Sequence, residues 1–236
     1  PCGYRAMSRQ RLCIVGAGAS GLPTLRHALG YSLDVVCYEA QDDIGGLWRF
    51  KPEKSENSSV MRSTVMNTSK ELNAYSDFPP DPAFSNHMHN TQILQYMREY
   101  AEHHHLLEHI NFLHKVYNIE RRSDYERTGC WHVTVTDLRA ERTWTETFDF
   151  VLLCMGHHQQ PLLPDPWPGQ ENFRGRIIHT KEYKDASDYE DKVVVIVGVG
   201  NSGIDAATEI SRVARQTYLV SRRGVWVLNR LHDSRR

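Results

Sequence analysis

The sequence predicts an α/β fold made of two units with parallel sheets. Two stretches carry this prediction: "LCIVGAGASGL" from Leu12 and "VVIVGVGNSGI" from Val194 repeat a β-branched run, G-x-G-x-x-G and a small-residue helical pattern. The strand-like runs around both are continuously apolar instead of alternating, which is typical of parallel strands that are buried on both faces. We expect two doubly wound units, over residues 7–158 and 159–236, with a small antiparallel β insertion.

The composition excludes several kinds of protein. The 236 residues carry 28 Lys and Arg against 29 Asp and Glu, a formal net charge of -1, so no charge excess indicates a nucleic-acid partner. Hydrophobic residues make up 40% of the chain, which is enough for a packed core. No apolar run approaches the roughly 20 residues that a membrane helix needs, so we expect no membrane segment in this chain.

The five cysteines are odd in number and show no C-x-x-C spacing. Three of them (Cys13, Cys37 and Cys154) lie in strand-like runs, where a free thiol behaves as a small apolar residue. We therefore predict an intracellular, reducing compartment, with no disulfide framework and no zinc site.

The first unit is predicted to begin with a βαβ arrangement: a strand at "RLCIVG", a helix over residues 19–29 and a strand at "DVVCYE". Pro23 lies about one turn into this helix, where it removes a backbone N–H donor. Residues 50–90 are polar and rich in Ser, Asn and Pro, and a loop of that length is usually either functional or disordered.

A helical period returns over residues 91–110. Its apolar stripe consists of Ile93, Leu94, Met97, Tyr100, Ala101 and Leu107. On such a helix His105 and His109 would be four residues apart, a workable spacing for two metal ligands. No third ligand lies at a convincing place, and we predict no metal site.

The remaining pattern divides into an insertion, a link and the second unit. "CWHVTVTDL" from Cys130 and "RTWTETFDFVLLCMG" from Arg142 alternate like antiparallel strands, and residues 151–154 become continuously apolar, as for a strand that enters the main sheet. A proline-rich link follows at 159–169. A strand at 193–197, a helix ending near residue 214 and a strand at 217–220 then repeat the βαβ pattern.

Glycine turns between a strand and a helix predict dinucleotide binding. They let the backbone approach a pyrophosphate, whose charge is favoured at the helix N-terminus. Tight helix–strand packing explains a lone match equally well, but here both copies lie between a strand and a helix. The chain is therefore predicted to hold two Rossmann-like domains. The predicted contacts are Gly16, Gly18, Ala19, Ser20 and Gly21 in the first turn, and Gly198, Gly200, Asn201, Ser202 and Gly203 in the second.

The two predicted sites differ at the end of the next strand, about 20 residues beyond the first glycine. The first site has Glu39 there, and the second has Ser221 followed by Arg222 and Arg223. A carboxylate accepts hydrogen bonds from ribose hydroxyls and repels a 2′-phosphate, whereas guanidinium groups bind that phosphate. We predict FAD or NAD at the first site and NADP(H) at the second, with a solvated basic turn as the alternative for the arginines. Two dinucleotides indicate a flavin enzyme that receives hydride from NADPH.

Several motifs, in one order along the chain, resemble those of the flavin-containing monooxygenases, the N-oxide-forming dimethylaniline monooxygenase family. The fingerprint F-x-G-x-x-x-H-x-x-x-Y stands here as "FRGRIIHTKEY", with Phe173, Gly175, His179 and Tyr183. Further matches are "DDIGGLWRF" at 42–50, "NTSKELNAYSDFPP" from Asn67, "HMHN" at 87–90, "CMGHH" at 154–158 and "SRRGVW" at 221–226. The resemblance adds Gly46, Leu47 and Trp48 to the predicted cofactor contacts.

The resemblance also implies a chemistry. NADPH reduces FAD, the reduced flavin captures O2 as a C4a-hydroperoxide, and a nitrogen or sulfur atom of a small amine or sulfide attacks its distal oxygen. The protein then supplies placement and a water-poor pocket. Asn67 matches the family's active-site asparagine, with an asparagine that caps a turn as the alternative. His179 and Tyr183 are expected to be structural, Gly175 to serve a tight turn, and Ser202 either to bind a phosphate or to cap the helix.

Three other functions compete with this one. A Baeyer–Villiger monooxygenase shares the chemistry, but its fingerprint has a different, tryptophan-bearing ending. A pyridine-nucleotide disulfide reductase needs a redox cysteine pair, which the cysteine spacing opposes. The third is a truncated dinucleotide-binding module without turnover.

The chain is expected to be a portion of a longer protein. It begins at Pro1 and ends in "RLHDSRR", directly after an apolar strand pattern, whereas family members continue well beyond this length. The C-terminal part of the fold is then absent, and both the FAD-binding domain (7–158) and the NADP-binding domain (159–236) are incomplete. Likeness to vertebrate members implies a place on the cytosolic face of the endoplasmic reticulum and a role in xenobiotic metabolism; otherwise the location would be cytoplasmic.

Overall fold

The computed structural model describes residues 9–52 and 58–226. The first unit contains a parallel sheet of four strands, β1 (Gln10–Val15), β2 (Leu33–Glu39), β3 (Ile110–Phe112) and β7 (Phe150–Leu153), in the order β3-β2-β1-β7. Helix α1 (Gly21–Leu29) connects β1 to β2, and helix α2 (Asn90–His103) follows the long polar region. The predicted α/β class with parallel sheets is confirmed.

The insertion between β3 and β7 forms a separate antiparallel sheet. It contains β4 (His114–Arg121), β5 (Trp131–Asp137) and β6 (Arg142–Phe148), with a short helix α3 (Tyr125–Thr128) before β5. The alternating pattern predicted β5 and β6 as antiparallel strands, and they pair from Trp131 opposite Phe148 to Asp137 opposite Arg142. The apolar run after them enters the main sheet as predicted, because β7 pairs with β1 in parallel.

The side chains of β1 alternate between two cores. Leu12 and Ile14 pack with the helices α1 and α2 on one face of the parallel sheet. Cys13 and Val15 pack with the antiparallel sheet on the other face. Both faces of β1 are therefore covered, which explains why its sequence is continuously apolar.

The predicted helix over residues 91–110 is too long. Helix α2 ends at His103, and His105 adopts a positive φ of 52°, which a helix does not allow. Leu106 is buried instead of Leu107, which is 40% exposed. His105 and His109 therefore do not share one helix, so their spacing in the sequence does not place them on one helix face as two metal ligands would require.

The cysteines differ from one another in state. Cys13, Cys37 and Cys154 are free, and burial raises the pKa of Cys13 to about 12, so this thiol is kept protonated. Cys130 is disulfide-bonded, which corrects the expectation that no cysteine is paired.

The second unit repeats the first on a smaller scale. Strands β8 (Val193–Val197) and β9 (Gln216–Val220) pair in parallel, and helix α4 (Asn201–Ile210) connects them, ending earlier than predicted. Ile196 and Ala206 are buried in a small core together with Met61. The other side of β8 presents valines that are about half exposed, unlike the buried pattern of β1 (Val193, Val195 and Val197).

Residues of the polar region contact the second unit directly. The backbone N–H of Arg62 donates to the carbonyl of Lys184 at 2.9 Å, and the Arg62 guanidinium lies 3.2 Å from the carboxylate of Asp185. Lys184 donates to Ser59 Oγ at 2.7 Å. Met61 precedes residue 158 but contributes to the core of the second unit. The division of the chain at residue 158 stays a prediction.

None of the helices in the described ranges combines the length and the apolar character that crossing a bilayer requires.

A partly buried carboxylate joins the two sheets of the first unit. Glu146 of β6 accepts hydrogen bonds from Arg11, Tyr38 and Trp144, each at 2.7 Å. Burial alone raises the pKa of Glu146, but these three donors and the positive charge of Arg11 outweigh it, so the pKa lies below its usual value of 4.5. Glu146 is therefore ionised at neutral pH and links β6 to β1 and β2.

We predict that Glu146→Gln lowers the free energy of unfolding at pH 7 by ~1 kcal/mol, because glutamine keeps an acceptor for Tyr38 and Trp144 but loses the charge that faces Arg11. Because the folded pKa is depressed, the stability from ionised Glu146 is complete above its ordinary pKa of 4.5 and is lost as the pH falls through the folded pKa. Denaturant titration over a pH series measures this difference.

The matched control is Glu102→Gln, on the exposed side of α2, which should leave the unfolding free energy unchanged. If wild type and Glu146→Gln differed equally at pH 7 and well below 4.5, the link would not depend on the ionised carboxylate.

Candidate dinucleotide-binding sites

The first glycine turn closes on itself too tightly for side chains at two of its positions. Gly16 has a φ of +101° and donates from its backbone N–H to the carbonyl of Tyr38 at 2.8 Å. A Cβ on Gly16 would lie 2.6 Å from the Cys154 carbonyl oxygen, and a Cβ on Gly21 would lie 1.9 Å from the Gly16 carbonyl oxygen. Glycine is required at both positions by the fold itself.

The fold does not require glycine at position 18 in the same way. A Cβ there would meet only the backbone of Gly46, at 3.7 Å from its Cα, which is an ordinary van der Waals distance. The φ of Gly18 is not in the left-handed region. The fold would therefore tolerate a methyl group at position 18.

The segment 42–50 packs directly on this turn. The N–H of Gly45 donates to the carbonyl of Ala17 at 3.2 Å, and Gly45 and Gly46 have φ values of +107° and +52°. A Cβ on Gly45 would lie 2.5 Å from Leu94 Cδ1, so α2 holds this segment in place. Leu47 and Trp48 follow in a 3₁₀ turn (Gly46–Trp48) and are half-buried.

Glu39 lies at the carboxyl end of β2, where the sequence predicts it, but it is buried and already bonded. One carboxylate oxygen accepts from the N–H of Ala17 at 2.7 Å and the other from the N–H of Gln41 at 2.9 Å. Each carboxylate oxygen has a second lone pair, so capacity to accept a ligand hydroxyl remains. The side-chain carbonyl of Gln41 is buried and has no partner among the described residues. No sequence motif marks Gln41, so its place beside Glu39 was not predicted.

The second glycine turn has the geometry of the first. Gly198 has a φ of +110° and donates to the carbonyl of Val220 at 2.9 Å, and a Cβ on Gly203 would lie 2.4 Å from the Gly198 carbonyl oxygen. Gly200 has an ordinary φ of −73° and no atom within 4 Å of its would-be Cβ. The fold again requires the outer glycines and leaves the middle one open.

The polar residues around the second turn are exposed. Asn201 and Ser202 begin α4, and no side chain caps this helix end, so Ser202 does not act as the cap. Ser221 donates from its hydroxyl to the carbonyl of Arg223. Arg222 and Arg223 are exposed and make no ion pair with any residue in 9–52 or 58–226.

Asn67 lies in a bend of the long polar region. Its side chain is exposed and makes no hydrogen bond within the described part of the chain, so it does not cap a turn. The segment that carries Asn67 contacts the first glycine turn, because the Tyr75 hydroxyl donates to the Ala19 carbonyl at 2.9 Å. Tyr75 lies within a family motif, but neither its spacing nor its type identified this contact beforehand.

The fingerprint residues lie in the second unit, and each of them makes a contact with another part of the chain. Tyr183 is buried in the small core and donates from its hydroxyl to Glu209 at 2.6 Å. His179 accepts from the N–H of Lys181 at 3.1 Å. A Cβ on Gly175 would lie 2.4 Å from the ring of Phe173. These contacts join parts of the unit to one another.

Within the described ranges, no group of three or more His, Cys, Asp or Glu side chains could hold a metal ion.

Comparison with known proteins places this geometry in a family. The model of the flavin-binding monooxygenase-like family matches residues 9–235. Flavin-containing monooxygenase 5 of Rattus norvegicus is 43% identical over 228 residues, which cover 95% of this chain and 42% of the relative. The N-oxide-forming dimethylaniline monooxygenase 2 of Mus musculus is 40% identical over 227 residues, again 95% of this chain and 42% of the relative.

Among solved structures, S-allyl-L-cysteine S-oxygenase from Allium sativum matches with a TM-score of 0.82 at 22% identity, over 95% of this chain and 54% of that one. This likeness supports the fold. The chain spans about two fifths of the length of the curated relatives that it matches. On the family match and these identities, the chain belongs to the flavin-binding monooxygenase-like family.

Proposed function

We propose that this chain forms the two nucleotide sites of an NADPH- and O2-dependent flavoprotein monooxygenase. FAD and NADP(H) are the cofactors of the family. In the proposal, FAD binds at the first glycine turn, within 7–158, and NADP(H) binds at the second, within 159–236. The whole protein oxygenates soft nucleophilic nitrogen or sulfur atoms of small molecules through the C4a-hydroperoxyflavin, at the endoplasmic reticulum.

The proposed assignment of the two sites rests on one observation. In each turn the outer glycines are required by close backbone contacts, whereas the middle glycine, Gly18 or Gly200, is not. A glycine that close contacts do not require still costs conformational entropy on folding. A pyrophosphate that approaches the backbone at the start of a helix explains both middle glycines.

The acceptors around the first turn fit an adenosine with free ribose hydroxyls. Glu39 is anchored by Ala17 and Gln41, so its oxygens are held in one position for a ligand donor. The unpartnered carbonyl of the Gln41 side chain offers a further buried acceptor. A buried acceptor without a donor is costly, and a bound ligand that donates would remove that cost.

The residues around the second site fit a phosphorylated adenosine. Ser221, directly after β9, corresponds to Glu39 at the end of β2, and Arg222 and Arg223 follow it directly. Both guanidinium groups are exposed and unpaired within the described residues, so binding a phosphate breaks no existing ion pair.

The position of Asn67 and its side-chain amide, which has no hydrogen bond within the described residues, both support the proposed chemistry. Its segment is fastened to the first turn through Tyr75, while its own amide makes no bond within the described residues. A free amide can both donate to and accept from reacting groups beside the flavin. The flavin supplies the oxygen chemistry, and the protein holds it in place and excludes water.

We predict that Gly18→Ala weakens FAD affinity at least about tenfold without lowering the thermal stability of the cofactor-free chain, because the added methyl makes only an ordinary van der Waals contact with the Gly46 backbone but would obstruct the bound ligand. Gly200→Ala should weaken NADP(H) affinity by a similar factor. Flavin fluorescence titration measures the first affinity and isothermal titration calorimetry the second.

Each of these variants is the control for the other. Gly18→Ala should leave NADP(H) affinity unchanged, and Gly200→Ala should leave FAD affinity unchanged. Equal binding of both cofactors by both variants would contradict the proposed sites.

We predict that Arg222→Ala combined with Arg223→Ala lowers affinity for NADPH about tenfold or more and leaves affinity for NADH within about twofold, because only NADPH carries the 2′-phosphate. Calorimetric titration with the two nucleotides measures the ratio. The matched control is Arg212→Ala combined with Arg215→Ala, also in the second unit, for which the ratio should not change. An unchanged NADPH preference in the Arg222 and Arg223 variant would favour the solvated basic turn.

We predict that Asn67→Asp retains FAD and NADPH binding within about twofold but loses oxygenation of a simple thioether by at least about a hundredfold, because the fixed negative charge cannot donate to the reacting oxygen. Product analysis of the sulfoxide, with the FAD affinity measured in parallel, tests this. Asn86→Asp, exposed in the same segment, is the control. Undiminished sulfoxide formation by Asn67→Asp would remove Asn67 from the active site.

A further inference from the structure

Helix α1 lacks one backbone donor at its start. Its hydrogen bonds follow the helical pattern on both sides of residue 23: Leu22 N–H donates to the Gly18 carbonyl at 3.1 Å, and Thr24 N–H donates to the Ser20 carbonyl at 3.2 Å. In this pattern the Ala19 carbonyl would accept from residue 23. Residue 23 is proline and has no N–H to give.

The hydroxyl of Tyr75 lies where that donor is missing. It donates to the Ala19 carbonyl at 2.9 Å, from a segment 56 residues away along the chain. Burial raises the pKa of Tyr75, so the hydroxyl keeps the proton that it donates.

The position of the Tyr75 ring is determined by its neighbours. The Tyr75 N–H donates to Tyr96 Oη at 2.8 Å, and that hydroxyl in turn donates to the Phe78 carbonyl at 2.6 Å. The ring centroid of Tyr75 lies 4.3 Å from that of Tyr100 in α2. The hydroxyl is therefore held against Ala19 by contacts that do not involve Ala19.

We propose that Tyr75 is a positioning residue for the first glycine turn. Its hydroxyl replaces the hydrogen bond that Pro23 cannot make. The proposal rests on the function proposed above for the first turn. In a trans peptide the C=O and the following N–H point in opposite directions, so holding the Ala19 carbonyl also orients the Ser20 N–H. That N–H is one of the first donors of α1 and has no partner within the described residues. The same bond fastens the Asn67 segment to the turn.

The pairing can be tested with two substitutions. Tyr75→Phe keeps the ring and removes only the hydroxyl. Pro23→Ala supplies the missing N–H and makes the hydroxyl redundant. If the hydroxyl acts by replacing that donor, its removal must matter in the wild-type background and not in the Pro23→Ala background.

The experiment measures FAD affinity by flavin fluorescence and amide hydrogen exchange without FAD, on the wild-type chain, both single variants and the double variant. We expect Tyr75→Phe to weaken FAD affinity about fivefold and to speed exchange of amides in residues 67–77 by a similar factor, the size expected for one solvent-accessible hydrogen bond. In the Pro23→Ala background the loss of FAD affinity should be less than about twofold. Tyr31→Phe, with a side chain that is 71% exposed, is the control and should change neither quantity.

Every other outcome overturns one part of the proposal. Equal losses in both backgrounds, or no loss of FAD affinity at all, overturn the replacement of the Pro23 donor by Tyr75. Faster exchange in Tyr75→Phe with unchanged FAD affinity leaves a structural contact and overturns the positioning role. If no variant binds FAD, the proposed function and the positioning role both fail, and the exchange arm still decides whether Tyr75 and Pro23 are coupled.

Discussion

The arrangement of strand, turn and helix in both units depends on a close approach of two backbone segments, seen first at the first glycine turn. The Gly21 backbone lies so near the Gly16 carbonyl that a Cβ would be 1.9 Å away, and the same contact recurs between Gly203 and Gly198. This contact brings the start of the helix against the end of the preceding strand. The first N–H groups of the helix, which have no partner within the helix, therefore begin directly at the glycine turn.

Polar groups hold the first turn at several points. Glu39 bonds to the backbone of Ala17, and Tyr75 bonds to the backbone of Ala19. The second turn lacks both kinds of contact among the described residues, and its basic side chains, Arg222 and Arg223, are exposed. The first site is therefore the better preorganised of the two.

Elements with strong local patterns could be predicted from the sequence, and those decided by packing could not. Strand β8 was predicted with the observed bounds, because its β-branched run ends at a glycine turn. Strand β3 has only three residues, too few for a period to be recognised. The end of α2 was placed too late because Leu107 continues the apolar spacing, whereas the chain turns at His105 and buries Leu106 instead.

The sequence by itself determined the α/β class, the two strand–glycine–helix units, the family and the opposite charges at Glu39 and at Arg222 and Arg223, because these depend on residue type and short spacing. Only the tertiary structure decided which glycines the fold requires, how the Glu39 carboxylate is bonded and that Tyr75 meets the carbonyl left by Pro23. Those contacts join residues far apart in the chain, and their geometry is set by the packing of α1, α2 and the sheet.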